Sequence, residues 1–286
     1  MTKTPSRRLY FLIIFITLGL AAVTSTGSSA FATEGARQTR PVVAGSQLEF
    51  EFGGDCTAGA VVQKNSWSSV FFAKERATRY VVTANHCVAR TGERVFVRNE
   101  LESRHGNTAP VGTVYWRSDN VDLALIKIDP IVHVSYTCGS SSHGAPHCLP
   151  VTTWTPNALP RVLTASLRTR SIYGQPVIGY GDPGLNEAFA TSGSTTGVQV
   201  NWRNLSVRAW PPGFRNPHSG DQAASSSTDF LLPGDSGGPV FNPDTGMLYG
   251  IMTDQVPRRP TEQSTMVYIK LSEFFKEQRE YNLVTR

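Results

Sequence analysis

Charge is scarce in this chain of 286 residues. Asp, Glu, Lys and Arg together make up 17%, against about 25% in an average soluble domain. No tract of one charge sign and no repeated unit occurs, which excludes coiled coils, solenoids and basic tails. Amphipathic helical periodicity is missing until residues 272–282, so the bulk of the chain is not a helix bundle. Cysteine is limited to four, and none follows Cys148. What is abundant is apolar and turn-forming: 40% hydrophobic residues, 25 Gly and 18 Pro. That balance rules out both a disordered chain and a multi-span membrane protein, and the length is ample for a sizeable core.

The N-terminus reads as an address. Lys3, Arg7 and Arg8 precede an uncharged apolar run over 9–23, and Ala30-Phe31-Ala32 fits the small-x-small pattern of a signal-peptide cleavage site. The expectation is a signal peptide over 1–32, a short pro-segment candidate over 33–42, and a secreted, extracellular product. A membrane role arises only if the segment stays uncleaved. Removing 1–32 takes away three basic residues and leaves a net charge of about +2, which gives no case for a nucleic-acid partner.

Export puts the cysteines in an oxidising compartment, where two disulfides are expected and three pairings are open. Sequence-local pairing joins Cys56 to Cys87 and Cys138 to Cys148. The chain-entropy argument assigns these roughly 3–4 and roughly 2.5–3 kcal/mol. A competing reading takes Cys138, His143, His147 and Cys148 as zinc ligands, although their spacing lacks the usual paired pattern.

Beyond residue 42 the sequence alternates short apolar or β-branched runs with Gly, Pro, Asn and Asp. One group falls at 60–62, 70–73, 80–84, 95–98, 111–115 and 123–128. A second falls at 161–167, 176–180, 197–201, 205–209, 239–242, 248–253 and 266–269. This is the pattern of an all-β barrel or sandwich. The Ser-, Pro- and Thr-rich stretch 138–160 divides the groups, and Ser272 is a candidate N-cap for a terminal helix over 272–282. The polar stretch 219–228 reads as a mobile surface loop.

Three local patterns carry chemistry, in this order: YVVTANHC at 80–87, DNVDLALIKI at 119–128, and PGDSGGPV at 233–240. Each alone has an ordinary explanation: a strand-end histidine, a capping aspartate, a glycine turn. Together they supply what acyl transfer needs. A serine hydroxyl is a weak nucleophile until an imidazole takes its proton, and the imidazole needs a carboxylate to fix its tautomer. Glycines beside the serine leave backbone N–H groups free to stabilise an oxyanion.

These motifs, in this order, resemble the chymotrypsin/trypsin-like serine endopeptidase family, and most nearly its secreted bacterial (streptogrisin-like) members. The resemblance implies a protease domain over 43–286, built as two antiparallel six-stranded β-barrels with a C-terminal α-helix. The barrels would span about 43–150 and about 160–270. It implies Ser236 as nucleophile, His86 as general base and then acid, Asp122 rather than Asp119 as orienting carboxylate, and Gly234 and Ser236 N–H groups as oxyanion donors. Thr253 would support the aspartate. Cys56 and Cys87 match the disulfide of the histidine loop, and Ile178-Gly179-Tyr180-Gly181 resembles a Gly-Trp-Gly strand early in the second barrel. By motif offset Phe230, Gln255 and Met266 line the specificity pocket, with Asp229 one residue off, which suggests small or modest apolar P1 side chains. In many members a newly cut amino terminus pairs with the aspartate before the serine, here Asp235. The resemblance implies a protein or peptide substrate, no cofactor, no metal and a monomer. A catalytically silent binding protein on the same scaffold is the alternative. An esterase is disfavoured by the His, Asp, Ser order.

Overall fold

The computed structural model describes residues 34–97, 109–139, 147–166, 168–169, 171–210, 220–256 and 263–286. The signal-peptide reading of 1–32 and the role given to His143 lie outside them. Among the described residues the chain begins α1 (Glu34–Arg37), β1 (Val42–Ala44), β2 (Gln47–Phe50), β3 (Asp55–Thr57), β4 (Ala60–Lys64), α2 (Trp67–Phe71) and α3 (Ala73–Ala77). It continues β5 (Arg79–Thr83), β6 (Arg94–Phe96), β7 (Gly112–Arg117), β8 (Ala124–Ile128), β9 (Ile131–Gly139) and β10 (His147–Thr155). Then follow β11 (Ala158–Ala165), β12 (Ile172–Pro176), β13 (Gly179–Tyr180), β14 (Phe189–Gly193), β15 (Gly197–Asn204) and β16 (Asp221–Ser226). The chain ends β17 (Pro239–Phe241), β18 (Met247–Val256), β19 (Ser264–Lys270), α4 (Leu271–Glu277) and β20 (Tyr281–Leu283).

Most strands fall into two barrel-like sheets, with a separate three-stranded sheet β1-β11-β12 and the hairpin β9-β10 beside them. In the second, β18, β17, β14, β15, β16 and β19 follow one another, and pairing of β18 with β19 closes the ring. In the first, the order is β20-β4-β5-β8-β7-β6-β2-β3. Its ladder is open, but β3 and β4 are consecutive segments separated by Ala58 and Gly59, so the covalent chain spans the gap. Cys56–Cys87 and Cys138–Cys148 are both bonded, which leaves no thiol for zinc and overturns that reading.

Burial explains why β4, β5 and β8 read as unbroken apolar runs. Their side chains alternate between two cores. Val61, Val81, Ala124, Ile126 and Ile128 point into the first barrel. Val62, Tyr80, Val82 and Leu125 join Phe241, Leu248, Ile251, Ile269 and Phe274 in a core shared by both barrels. A strand buried on both faces has no polar side to show. The second barrel's own interior is aromatic, with Phe189, Trp202, Tyr249 and Tyr268.

Several expectations change. Residues 70–73 are not a strand: Val70 and Phe71 end α2, Phe72 is the extended junction and Ala73 begins α3, with Trp67, Val70, Phe71 and Phe72 all exposed. Residues 221–226 are not a loop but β16, a ring strand whose small Ala224 fits the barrel interior. The first barrel ends at β8, because 131–155 forms a separate hairpin whose first strand is exposed throughout. Gly179 and Tyr180 sit outside the second ring, pairing in parallel with Met247 and Leu248, and the ring begins at β14.

The terminal helix is shorter than expected and begins one residue earlier, capped at Lys270 rather than Ser272. It stops at Glu277 because Tyr281 is drawn into the shared core against Tyr80 and Phe274, where β20 extends the first sheet beside β4. The helix thus ties the two barrels together. Phe274 is fully buried at this junction. Phe274→Ala is expected to lower unfolding free energy by about 3–5 kcal/mol, measured by urea denaturation.

Candidate active site

β5 leaves the first sheet at Thr83, and the chain turns sharply through a 3-10 turn over Asn85–Cys87. The Cys56–Cys87 disulfide anchors that turn to β3. Its sulfurs and a ring nitrogen of His86 lie within 4.8 Å of one another. Because both thiols are oxidised, this grouping is a mechanical brace and not a metal site.

Asp122 reaches the turn from the segment before β8. Its carboxylate accepts from His86 Nδ1 at 2.6 Å and from the His86 backbone N–H at 2.8 Å. The two bonds orient both ring and backbone. The hydrogen bond to Asp122 raises the His86 pKa above its ordinary value, against the lowering effect of burial, with smaller electrostatic help from Asp122 and Asp254. Asp119 is exposed on the same turn and makes no such contact with His86 among the described hydrogen bonds.

Two neighbours of this pair were not anticipated as positioning groups. Asn85 donates to Ser118 O at 3.1 Å and accepts from Arg117 Nε at 2.7 Å, which joins the histidine turn to the aspartate turn. Ser118 in turn donates to Glu277 Oε2 of α4 at 2.7 Å, so the terminal helix steadies the same segment.

Ser236 comes from the second barrel, in the turn before β17. Glycine is required on both sides of the Asp235–Ser236 pair. Gly234 has φ +102° and Gly237 φ +84°, and a Cβ on Gly237 would lie 2.1 Å from Thr83 Oγ1 in the other barrel. Asp235, at 1% exposure, anchors the turn. It accepts from the N–H groups of Thr195, Thr196 and Leu232 and from Thr196 Oγ1, at 2.8–2.9 Å. Burial pushes its pKa up, while these four donors pull it down.

Thr57 crosses the seam between barrels. Its hydroxyl donates to Gly234 O at 2.7 Å and accepts from Ser194 N at 2.9 Å, and its N–H donates to Ser236 O at 2.8 Å. Ser194 Oγ also donates to Gly234 O. With the carbonyls so occupied, the N–H groups of Gly234 and Ser236 have no protein acceptor among the described residues. In the sequence the only trace of this support was the hydroxyl-rich turn Ser194-Thr195-Thr196 between two glycines, and nothing local names what it holds.

His86 and Ser236 line one cleft of about 230 Å³, together with Leu231, Leu232, Pro233, Met252, Thr253, Asp254 and Gln255. Gln255 is one of these lining residues. Phe230 and Met266 are not part of this lining: Phe230 is 37% exposed, and Met266 is fully buried inside the second barrel. Leu231 and Met252 supply the apolar surface instead. Asp229 is turned away and buried, accepting from the Asn201 N–H at 2.6 Å. Thr253 borders the cleft, but its hydroxyl donates to Val267 O and not to Asp122.

Known structures resemble this fold at low sequence identity. A glutamic acid specific serine protease described as using a histidine triad in substrate binding is 17% identical, with TM-score 0.53, covering 85% of this chain and 100% of its own. The chymotrypsin of Cellulomonas bogoriensis (17% identity, TM-score 0.49) and a Nocardiopsis protease (18%, 0.49) each cover 85% of this chain and 98% of their own. No curated protein matches the sequence. A family model described as trypsin-like peptidase domain matches residues 67–251, well over half of the chain and inclusive of His86, Asp122 and Ser236. The chain therefore belongs to the trypsin-like peptidase domain family and is a serine endopeptidase.

Proposed function

We propose that this endopeptidase is secreted after cleavage behind Ala32 and hydrolyses peptide bonds through an acyl-enzyme on Ser236. What carries the reading is the His86–Asp122 pair facing the same cleft as Ser236, beside two backbone N–H groups without acceptors among the described residues. The Ser236 Oγ attacks the scissile carbonyl carbon as its proton passes to His86 Nε2. Asp122, bonded to Nδ1–H, holds the tautomer that leaves Nε2 free and stabilises the imidazolium that forms. The carbonyl oxygen becomes an oxyanion at the Gly234 and Ser236 N–H groups. His86 then protonates the leaving amine, and a water activated by the same imidazole hydrolyses the ester. Each half of this chemistry comes from a different barrel, so docking of the two is a condition for turnover.

The cleft's volume and its Leu231, Met252 and Gln255 surface favour small or modest apolar P1 side chains. The electrostatics agree, because Asp229 points away from the cleft and is occupied by Asn201. Cleavage-site profiling on a denatured protein mixture should give mostly small apolar P1 residues. Dominant cutting after Lys or Arg would refute the specificity reading.

Ser236→Ala is expected to lower peptide hydrolysis by about 10⁶-fold and to abolish fluorophosphonate labelling while the fold persists. Undiminished hydrolysis would remove Ser236 from its role, and a wild-type protein that never labels would favour the silent binding protein. His86 must be neutral to act as a base, and its pKa is raised, so activity is lost as pH falls through a value above 6.5. A pH profile of kcat/KM checks this. Asp254→Asn removes one of the raising charges and should move that acid limb slightly downward. Thr57→Val keeps the side-chain shape but leaves Gly234 O with Ser194 Oγ alone and removes the acceptor of Ser194 N. It should lower kcat by roughly one to two orders of magnitude with KM little changed.

A further inference from the structure

Between β4 and β5 the first sheet carries an excursion of two short helices, α2 and α3. Its apolar side chains stand in water: Trp67 is 81% exposed, Phe71 70% and Phe72 63%, and Val70 is exposed as well. Trp67 and Phe71 lie one helical turn apart and stack, with ring centroids separated by 6.2 Å. An aromatic side chain offers about 150–250 Å² of surface, so these three rings form an apolar ridge of a few hundred Å², the size at which a patch marks a contact site. The backbone holds the ridge in place. The Phe72 N–H donates to Ser68 O at 2.9 Å, the Arg76 N–H to Phe72 O at 3.0 Å, and Ser69 Oγ to Ser66 O at 2.7 Å.

Phe72 also borders an open cavity of about 650 Å³, whose lining includes the ammonium groups of Lys64, Lys74 and Lys127 against the single carboxylate of Glu75. Lys64 is shared with Glu280 at 3.3 Å, whereas Lys74 and Lys127 have no ion pair among the described residues. Arg76 in α3 and Arg79 at the start of β5 add two further cations. An aromatic ridge bordered by cations suits the boundary of an anionic bilayer: rings enter between headgroups and acyl chains while lysines reach the phosphates. The protrusion of Trp67 favours lipid over a protein partner. A fluid layer closes around a projecting ring, whereas a folded surface must already carry a hole that matches it.

We propose that the face formed by α2, α3 and the lysine-lined cavity docks this protein on anionic lipid. The contact is interfacial, because α2 has five residues and no described helix is long and apolar enough to cross a membrane. This departs from the expectation that a membrane role needs an uncleaved N-terminal segment. Strand register adds a consequence. In the antiparallel pair β5–β8, Tyr80 lies opposite Lys127 and Thr83 opposite Ala124. The excursion enters this pair at Arg79, whereas the histidine turn leaves it after Thr83, and Asp122 precedes β8 at that same end. The lipid face and the His86–Asp122 pair therefore occupy opposite ends of two shared strands, roughly 13 Å apart along β5. The cleft stays open to solvent while the other end is docked.

The test mixes the exported protein with vesicles of phosphatidylcholine alone, or of phosphatidylcholine and phosphatidylglycerol in equal parts, and measures co-flotation. The wild type should float with the mixed vesicles and far less with phosphatidylcholine alone. Phe71→Ser should weaken partitioning by about 10-fold or more. Lys74→Gln combined with Lys127→Gln should weaken it by roughly 30-fold on the mixed vesicles and leave phosphatidylcholine alone unchanged. Near-ultraviolet circular dichroism checks that each variant is folded. Should Phe71→Ser fail that check, Trp67→Phe decides: brominated acyl chains should quench wild-type fluorescence, and the quenching should be lost in this variant.

A wild-type protein that floats with neither vesicle overturns the proposal. So does flotation that Phe71→Ser leaves unchanged, because an uncleaved N-terminal segment would bind equally in both forms. Soluble glycerol phosphate that displaces the protein completely from the mixed vesicles would make the cavity a small-anion site and refute lipid docking. A dimer seen by light scattering, dissociated by Phe71→Ser and unaccompanied by flotation, would assign the ridge to a second copy of the chain and refute it as well. None of these outcomes depends on the chemistry of Ser236.

Discussion

A carboxylate taken out of water must be met by donors or by a cation, and Asp235 is taken almost completely out of water. That requirement organises the second half of the site. Three backbone N–H groups and one hydroxyl converge on it from residues 195, 196 and 232. Once Asp235 is held, its neighbours have little freedom. Gly234 turns its carbonyl toward Thr57 and Ser194, its N–H is left without a protein acceptor, and the Ser236 side chain reaches the cleft. In the proposed reaction the position of the nucleophile Ser236 is thus set by a residue that takes no part in bond making.

The histidine half is organised by different means. Oxidised Cys56–Cys87 fixes the turn, Asp122 fixes the imidazole, and the bonds of Asn85 and Ser118 connect the turn to α4. Neither half completes a site alone. They meet through a core that both barrels share, where Val82 and Leu125 pack with Ile251 and Phe274, and through the polar bridge at Thr57. The apolar contact supplies docking free energy without direction. The Thr57 hydrogen bonds supply the direction, because bond length and angle confine Gly234 to a narrow range of positions.

Some errors of sequence reading share one cause. The runs at 70–73 and 219–228 were judged by local polarity, yet 70–73 is an exposed helical segment and 221–226 is a ring strand. Whether a residue is buried depends on partners such as β19, forty residues away, that composition cannot locate. The pocket lining failed similarly. Phe230, Leu231 and Leu232 are adjacent and apolar, and only the path of the turn decides which of them faces the cleft. The terminal helix was shortened by the pull of Tyr281 toward Tyr80.

The residues of the proposed reaction were legible because each sits in a local pattern: a histidine at the end of an apolar strand, an aspartate opening another, and a serine between glycines. Short apolar runs broken by Gly, Pro, Asn and Asp implied an all-β barrel or sandwich, and the resemblance carried by the three motifs implied the two barrels. The apparatus that positions those residues was not legible. Thr57, Asn85 and Thr196 are ordinary polar residues whose significance lies in partners 33 to 177 positions away, which only the folded chain brings to them. Local sequence determines what a side chain can do chemically; long-range closure of the barrels decides what it meets.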